Sequence, residues 1–272
     1  MVRRCYPQGK TKAFNVTYDD GVLQDVPFVA LLNRYGLKGT FNLNSQLMEQ
    51  EFCWIHENGM QVRRLSPDAA QGLYDGHEIA CHTLTHPYMQ ALSDEALRYE
   101  IGEDKRRLEA MFGRRVEGFA VPFDYYDERI ARCVADCGFA YGRMSEESGS
   151  YDPWERQYFW RSGIFHLRPE LEDFVDGFLG SDQELALCQI VGHSYDLDAA
   201  NLWDTMERIF SKVSRAEDVL PMTHLELVRY LQAMERVVID RNGIGNPSGE
   251  TLWFLVDEMP ISVPAGGKIP IK

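Results

Sequence analysis

Strand and helix patterns alternate along most of the chain, and this alternation restricts the fold more than any other feature of the sequence. From Ala13 to about Met234, short apolar runs typical of buried strands are followed by amphipathic helical patterns, and Gly36, Gly113 and Gly138 each end a helix. Strands that alternate with helices at this spacing pair in parallel through helical crossovers. About seven such units predict an α/β fold whose strands form a closed or nearly closed (β/α) barrel.

The hydrophobic period and the helix caps define the bounds of these elements. Strands are predicted at residues 13–18, 39–43, 77–81, 116–121, 139–141, 185–191 and 217–220. Helices are predicted at residues 26–35, 94–112, 127–137, 169–179, 199–213 and 223–234, with a short one after residues 66–68. The stretch from Ser145 to Arg168 is aromatic and irregular, and we expect a binding loop there because structureless loops of this length are uncommon without a function.

The last part of the chain lacks a helical pattern. Residues 237–271 show the pattern of several short strands, interrupted by the turn sequences Asn-Pro-Ser-Gly and Ala-Gly-Gly. We therefore expect a barrel at residues 1–235 and a small C-terminal β appendage at residues 236–272.

Composition argues against several classes of partner. The chain carries 42 acidic and 28 basic residues, for a net charge of -14, so we expect neither nucleic acid nor an anionic membrane surface as a partner. No run reaches the ~18 apolar residues of a membrane span, and no targeting segment follows Met1. None of the six cysteines lies in a C-x-x-C pair. We expect reduced thiols in a cytoplasmic protein, and the negative net charge favours a neutral or cationic substrate.

Two adjacent carboxylates, Asp19 and Asp20, end the first predicted strand, and Gly21 turns the chain directly after them. Neighbouring side chains converge on one site only where a strand gives way to a loop. A carboxylate pair at such a point can hold a metal or divide the work of an acid and a base. Asp-Asp-Gly is also an ordinary turn sequence, so the pair alone does not decide between these interpretations.

A histidine pair, His82 and His86, follows the strand predicted at residues 77–81. Pro87 and the intervening threonines argue against a helix, but a loop can bring both imidazoles to one metal. Two neutral imidazoles and one carboxylate leave positions open for water and substrate, as a catalytic divalent metal requires.

All candidate sites follow strands. Besides the two pairs above, Phe123 follows the strand that ends at Val121, and His193 follows the strand that ends at Val191. In a parallel barrel the C-terminal strand ends share one rim, and active sites lie on that rim. The sequence therefore predicts a single active site there.

Four motifs carry a resemblance to a known family. They are, in order, Tyr18-Asp19-Asp20-Gly21, His82-x-x-x-His86-Pro87, the strand end at Pro122, and Val191-Gly192-His193. Over roughly residues 12–233 the chain resembles the polysaccharide deacetylase family, which shares the nodulation-factor deacetylase homology domain. The resemblance implies a distorted (β/α) barrel and a metal-dependent hydrolase that removes acetyl groups from N-acetylated sugars. The partner that it implies is a small-molecule or oligosaccharide substrate.

The resemblance also implies roles for individual residues. Asp20, His82 and His86 would bind a divalent metal, either zinc or one of cobalt, manganese and nickel. Asp19 would be the general base, and His193 the general acid that protonates the leaving amine.

Substrate contacts are expected around these residues. The backbone N–H of Phe123 is the expected donor to the oxyanion. We expect Trp160 and His166 to contact the substrate, since an aromatic face packs on a sugar ring, although both side chains could instead be structural. Tyr195, two residues after His193, is expected to shape the mouth of the site.

One departure from the family concerns the charge beside the base. The family usually opens its third motif with an arginine that pairs with the catalytic aspartate, and this chain has Ala120 there. Without a cation the pKa of Asp19 would be higher. Arg161, in the long loop, could supply the missing charge.

Two other functions remain open. The same site could hydrolyse a small non-sugar amide or a cyclic imide, or the chain could be a metal-binding or sugar-binding module without turnover. The sequence decides neither the metal nor whether the chain forms a homo-oligomer.

Overall fold

The computed structural model describes residues 1–270, and its strands and helices are numbered here along the chain. The strands are β1 (Val2–Cys5), β2 (Lys12–Asp19), β3 (Gly39–Leu43), β4 (Cys53–Ile55), β5 (Gln61–Arg63), β6 (Glu78–Cys81), β7 (Gly118–Ala120), β8 (Tyr141–Glu147), β9 (Trp160–Ser162), β10 (Ile164–Phe165), β11 (Ala186–His193), β12 (Val219–Pro221), β13 (Val238–Asp240), β14 (Gly243–Gly245), β15 (Leu252–Val256), β16 (Met259–Val263) and β17 (Lys268–Ile269). The helices are α1 (Asp25–Arg34), α2 (Ser45–Glu49), α3 (Pro67–Ala70), α4 (Asp94–Phe112), α5 (Glu128–Asp136), α6 (Leu171–Leu179), α7 (Ser194–Ala199), α8 (Trp203–Arg215) and α9 (His224–Glu235).

A nine-stranded parallel sheet forms the barrel. Its strands follow the order β10, β11, β2, β3, β6, β7, β8 and β9, and β12 pairs with β2. The ends of this order, β9 and β10, are separated in sequence only by Gly163, where a Cβ would lie 2.5 Å from the carbonyl oxygen of Gln189. Because only glycine allows so close an approach, the chain bends at Gly163 and the sheet nearly closes on itself.

The two faces of β2 have different surroundings. Phe14, Val16 and Tyr18 belong to the main apolar core, where Phe14 packs edge-on against Phe210 of α8 at 6.2 Å between ring centroids. The alternate residues Asn15, Thr17 and Asp19 are also buried, and side chains of a strand alternate between its faces, so these polar groups point into the barrel.

None of the helices within residues 1–270 is long and apolar enough to cross a bilayer.

The C-terminal strands form two small sheets. β15 pairs with both β1 and β16, and β14 pairs with β13 and β17, all antiparallel. The Tyr230 hydroxyl joins these strands to the barrel, because it donates to the carbonyl of Cys5 and accepts from the N–H of Trp253. No helix follows α9 in the described part of the chain. Ile271 and Lys272, at the end of the predicted appendage, lie outside it.

The predicted α/β barrel is confirmed, with some differences in its elements. The sheet has nine strands rather than about seven, because the stretch predicted to be an irregular loop at residues 145–168 contains β9 and β10. The helix predicted at residues 199–213 is two helices, α7 and α8. The short helix predicted after residues 66–68 is α3, whereas the hairpin of β4 and β5 lies before it in a stretch where no strand was predicted. The unpredicted strands β4, β5, β9 and β10 have two or three residues each, too few to show a hydrophobic period.

Candidate active site

Asp20, His82 and His86 lie together at the C-terminal rim of the barrel. Asp20 Oδ1 is 3.8 Å from His82 Nε2 and 3.6 Å from His86 Nε2, and the three ligand atoms all lie within 4.8 Å of one another. Asp20 and His82 are buried, whereas the side chain of His86 is 20% exposed. One carboxylate and two imidazoles thus converge from one side, which is a donor set suited to a divalent metal.

The backbone at these positions leaves regular structure. Asp20 has φ +87°, Thr83 has +68°, and His86 has +56°, all in a region that non-glycine residues rarely occupy. In a strand, the side chains of Asp19 and Asp20 would point to opposite faces. The positive φ of Asp20 takes it out of the strand, so both carboxylates can lie at the same site. Such costly conformations persist where surrounding structure enforces them, commonly at functional sites.

The protonation of the ligands also fits a cation. His82 Nδ1 lies 2.9 Å from the carbonyl oxygen of Ala120, which can only accept, so Nδ1 carries the proton and Nε2 presents its lone pair to the site. Burial lowers the pKa of His82 to about 4 and also lowers the pKa of His86, which keeps both rings neutral. Asp20 Oδ1 is buried and accepts no hydrogen bond of good geometry from the described residues, although the guanidinium of Arg64 lies 2.9 Å from it. This carboxylate oxygen and the two imidazole nitrogens therefore form a donor set that fits a metal.

Asp19 lies inside the rim and is paired with a buried arginine. Its Oδ1 accepts from the guanidinium of Arg143 on β8 and, at 2.7 Å, from the side-chain amide of Asn42 on β3. Arg143 is 2% exposed. Burial by itself would raise the pKa of Asp19, but Arg143 and the nearby imidazoles outweigh burial and hold that pKa below its usual value.

His193 faces Asp19 across two adjacent strands, because the two residues are register partners in the β11–β2 pairing. His193 Nδ1 lies 2.9 Å from Asp196 Oδ2, so the carboxylate orients the ring. The other ring nitrogen, Nε2, takes no part in this contact. Burial would lower the pKa of His193, but the hydrogen bond to Asp196 and the carboxylates of Asp20 and Asp19 outweigh it and raise the pKa to about 9. The ring is therefore a proton donor at neutral pH.

Asp196 also forms a hydrogen bond with His166, a second histidine. His166 Nε2 lies 3.1 Å from Asp196 Oδ2, and His166 Nδ1 lies 2.7 Å from the hydroxyl of Tyr18. Since both rings share one carboxylate oxygen, a buried chain runs from Tyr18 through His166 and Asp196 to His193.

A cavity of about 460 Å³ opens over these groups. Phe123 forms part of its wall, with φ +58°, and its ring stacks on Tyr88 at 4.1 Å between centroids. Tyr195 lines the cavity and lies parallel to His193 at 4.9 Å. Its lining residues are Asp19, Asp20, His82, His86, Val121, Phe123, Asp124, Arg143, Ser145, Glu147, Phe165, Arg168, Val191, His193 and Tyr195.

Three residues selected from the sequence lie elsewhere. The guanidinium of Arg161 lies 2.9 Å from Glu155, on the surface, and the cation beside Asp19 is Arg143. Trp160 is 3% exposed and donates its indole N–H to Gln189 inside the barrel. His166 is 1% exposed and lies behind Asp196 rather than at the cavity wall.

Comparisons with known proteins agree with this architecture. Residues 7–142, half of the chain, match the model of the polysaccharide deacetylase family. No curated protein matches the chain in sequence.

Solved structures with the same fold include three bacterial proteins. A family 4 carbohydrate esterase from Bacillus anthracis is 16% identical over 83% of this chain and 86% of its own, with a TM-score of 0.55. One from Streptomyces lividans, in complex with acetate, is 16% identical over 77% and 91%, with a TM-score of 0.52. A pseudoenzyme of that family from Bacillus anthracis is 18% identical over 83% and 68%, with a TM-score of 0.51. At these identities the likeness shows the fold, and together with the family match it means that the chain belongs to the polysaccharide deacetylase family.

Proposed function

We propose that the protein is a metal-dependent hydrolase that removes the acetyl group from an N-acetylated sugar. Asp20, His82 and His86 would hold the divalent cation, and their nitrogen-rich donor set favours zinc. The chemistry that such a cation supplies when bound is polarisation of the amide carbonyl and a lower pKa for water. The observation that carries the proposal is the pairing of Asp19 with His193, which sets a base and an acid on adjacent strands beside that donor set.

Asp19 has the properties of a general base. Its pKa is held low by Arg143, so the carboxylate is ionised at neutral pH and can accept the proton of an attacking water. Asn42 and Arg143 both contact Oδ1, which fixes the carboxylate and leaves Oδ2 for the water.

His193 has the properties of a general acid. With a pKa raised to about 9, the ring carries its proton at neutral pH and can give it to the leaving amine. The backbone N–H of Phe123 is the candidate donor to the oxyanion that forms at the carbonyl, because Phe123 lines the same cavity as His193. Neither step requires a covalent intermediate.

Acetate release from N-acetylglucosamine oligomers tests the proposal. The protein with Zn²⁺ should release acetate, lose this activity with a chelator, and lose it in Asp19→Asn while still binding Zn²⁺. Ring opening of cyclic imides, measured in parallel, separates a sugar substrate from a small imide. Activity that survives in Asp19→Asn, or metal binding without hydrolysis of either substrate class, would contradict the proposal.

A further inference from the structure

Arg64 is a second buried arginine at the rim, and the proposed chemistry does not use it. Its Nη1 lies 2.9 Å from Asp20 Oδ1, and the same nitrogen donates a hydrogen bond to the backbone carbonyl of Asp20. The side chain is 4% exposed. A permanently charged group therefore lies against the carboxylate that the donor set needs.

The β4–β5 hairpin fixes this guanidinium in place. Arg64 follows β5 directly, its N–H donates to the carbonyl of Phe52, and it forms a β-bridge with Val22 beyond the aspartate pair. The ring of Trp54, on β4, lies 5.1 Å from the guanidinium carbon. The hairpin backbone therefore fixes the main chain of Arg64, and the Trp54 ring restricts its guanidinium to a position beside Asp20.

The two neighbouring carboxylates each have an arginine of their own. Arg143 contacts Asp19 from β8, and Arg64 contacts Asp20 from the hairpin. Two negative charges are thus balanced by two positive ones before any cation binds. A divalent cation would enter a site of little net charge.

We infer that Arg64 is a positioning residue that holds Asp20 ready as a ligand and, by its fixed charge, weakens the binding of the divalent cation. A cation held by the donor set would lie near Asp20 Oδ1, the oxygen that the guanidinium also contacts, and two positive charges at short range in a buried site repel strongly. Arg64 acts on the metal centre of the proposed function, so the inference rests on that function.

Removal of the charge has two effects of opposite sign. Without metal, Asp20 loses its partner, and a buried carboxylate without a partner lowers stability. With metal, the cation no longer competes with the guanidinium for Asp20, so it binds more tightly. A residue that only supported the fold would lower both stability and affinity.

Zinc titration of Arg64→Met against a chromophoric chelator tests the inference, with the melting temperature of the metal-free protein as the second readout. We expect the Kd for Zn²⁺ to fall about tenfold or more and the metal-free melting temperature to fall below that of the wild type. Arg64→Lys keeps the charge and should keep a Kd near that of the wild type. Arg63→Met removes an equal charge from the preceding residue, the last of β5, whose side chain is 46% exposed, and should change neither quantity.

The outcomes separate this inference from the proposed function. An unchanged or weaker Kd in Arg64→Met, with wild-type protein that binds zinc, overturns the role of Arg64 alone. Wild-type protein that binds no zinc overturns both. Arg64→Gln, which has a polar, uncharged and shorter side chain, provides the same comparison if Arg64→Met does not fold.

Discussion

Asp19 and Asp20 are neighbours in the chain, yet their surroundings suit them to different work. Asp19 remains in β2, beside Asn42 and Arg143, and its carboxylate is fixed inside the rim. Asp20 leaves the strand with φ +87°, and its Oδ1 faces two imidazole nitrogens. One backbone torsion therefore separates a candidate base from a candidate ligand.

Arg143→Met should impair catalysis much more than Arg161→Met. Loss of Arg143 leaves burial as the main influence on Asp19, and burial raises the pKa of a carboxyl group. A base must be deprotonated, so the acidic limb of the pH profile should move to higher pH, and kcat/KM at neutral pH should fall about 100-fold or more. Arg161 pairs with Glu155 at the surface, so its variant should stay within about twofold of the wild type. Equal losses in the two variants, measured as acetate release between pH 5 and 10, would contradict the role of Arg143.

Asp196→Asn should move the alkaline limb of the same profile to lower pH. His193 must be protonated to act as an acid, and with a pKa raised to about 9 it loses its proton as the pH rises through that value. The variant lacks the carboxylate that raises this pKa, so burial should pull it down by about one unit or more. Asp198→Asn, on the same helix but exposed, is the matched control. An alkaline limb that stays near pH 9 in Asp196→Asn would exclude this role.

The sequence allowed prediction of the residues that stand at strand ends, but not of their charged partners. Asp20, His82, His86 and His193 follow strands with clear patterns, and the structure brings them together at one rim. Arg143 is a single arginine within β8, and no local pattern distinguishes it from Arg161. Its contact with Asp19 spans 124 residues and depends on sheet order and register, which a single sequence does not encode locally.

The long helix α4 also positions residues of the site. Asp104, on α4, is fully buried and accepts from the N–H and hydroxyl of Ser45, at 2.7 and 2.6 Å, and from the N–H of His82 at 3.3 Å. α4 thereby fixes both the turn after β3 and the first histidine of the donor set.

The predictability of an element followed its length. The sequence shows α4 from its Ser93 cap to Gly113, and the structure has both, with Gly113 at φ +64°. The β4–β5 hairpin, with three residues in each strand, has no period to detect, so the turn signal of Asn58-Gly59 at its tip is not flanked by strand patterns. The contact of Arg64 with Asp20 depends on the position of this hairpin, so the sequence predicts neither the hairpin nor the contact.

At the scale of the whole molecule, the first and last strands share one core. β1 pairs with β15 over four residues, and both pack near α9 through Tyr230. The second apolar core contains Leu252 and Phe254 from the C-terminal strands beside Leu227 from α9, all fully buried. A boundary at residue 235 remains a prediction from the sequence, and this shared core makes its outcome testable.

A chain that ends at Glu235 should be less stable than the whole protein and should aggregate. The truncation removes the partner of β1 and uncovers apolar side chains of α9, each of which contributes about 1.5–3 kcal/mol when buried. Chemical unfolding and size-exclusion chromatography measure both effects. Phe254→Ala, at a fully buried ring, should cost about 3–5 kcal/mol in the full chain, whereas Met259→Ala, at a side chain that is 68% exposed, should cost little. A monomeric 1–235 chain with an unchanged free energy of unfolding would show instead that the barrel is stable without the C-terminal strands.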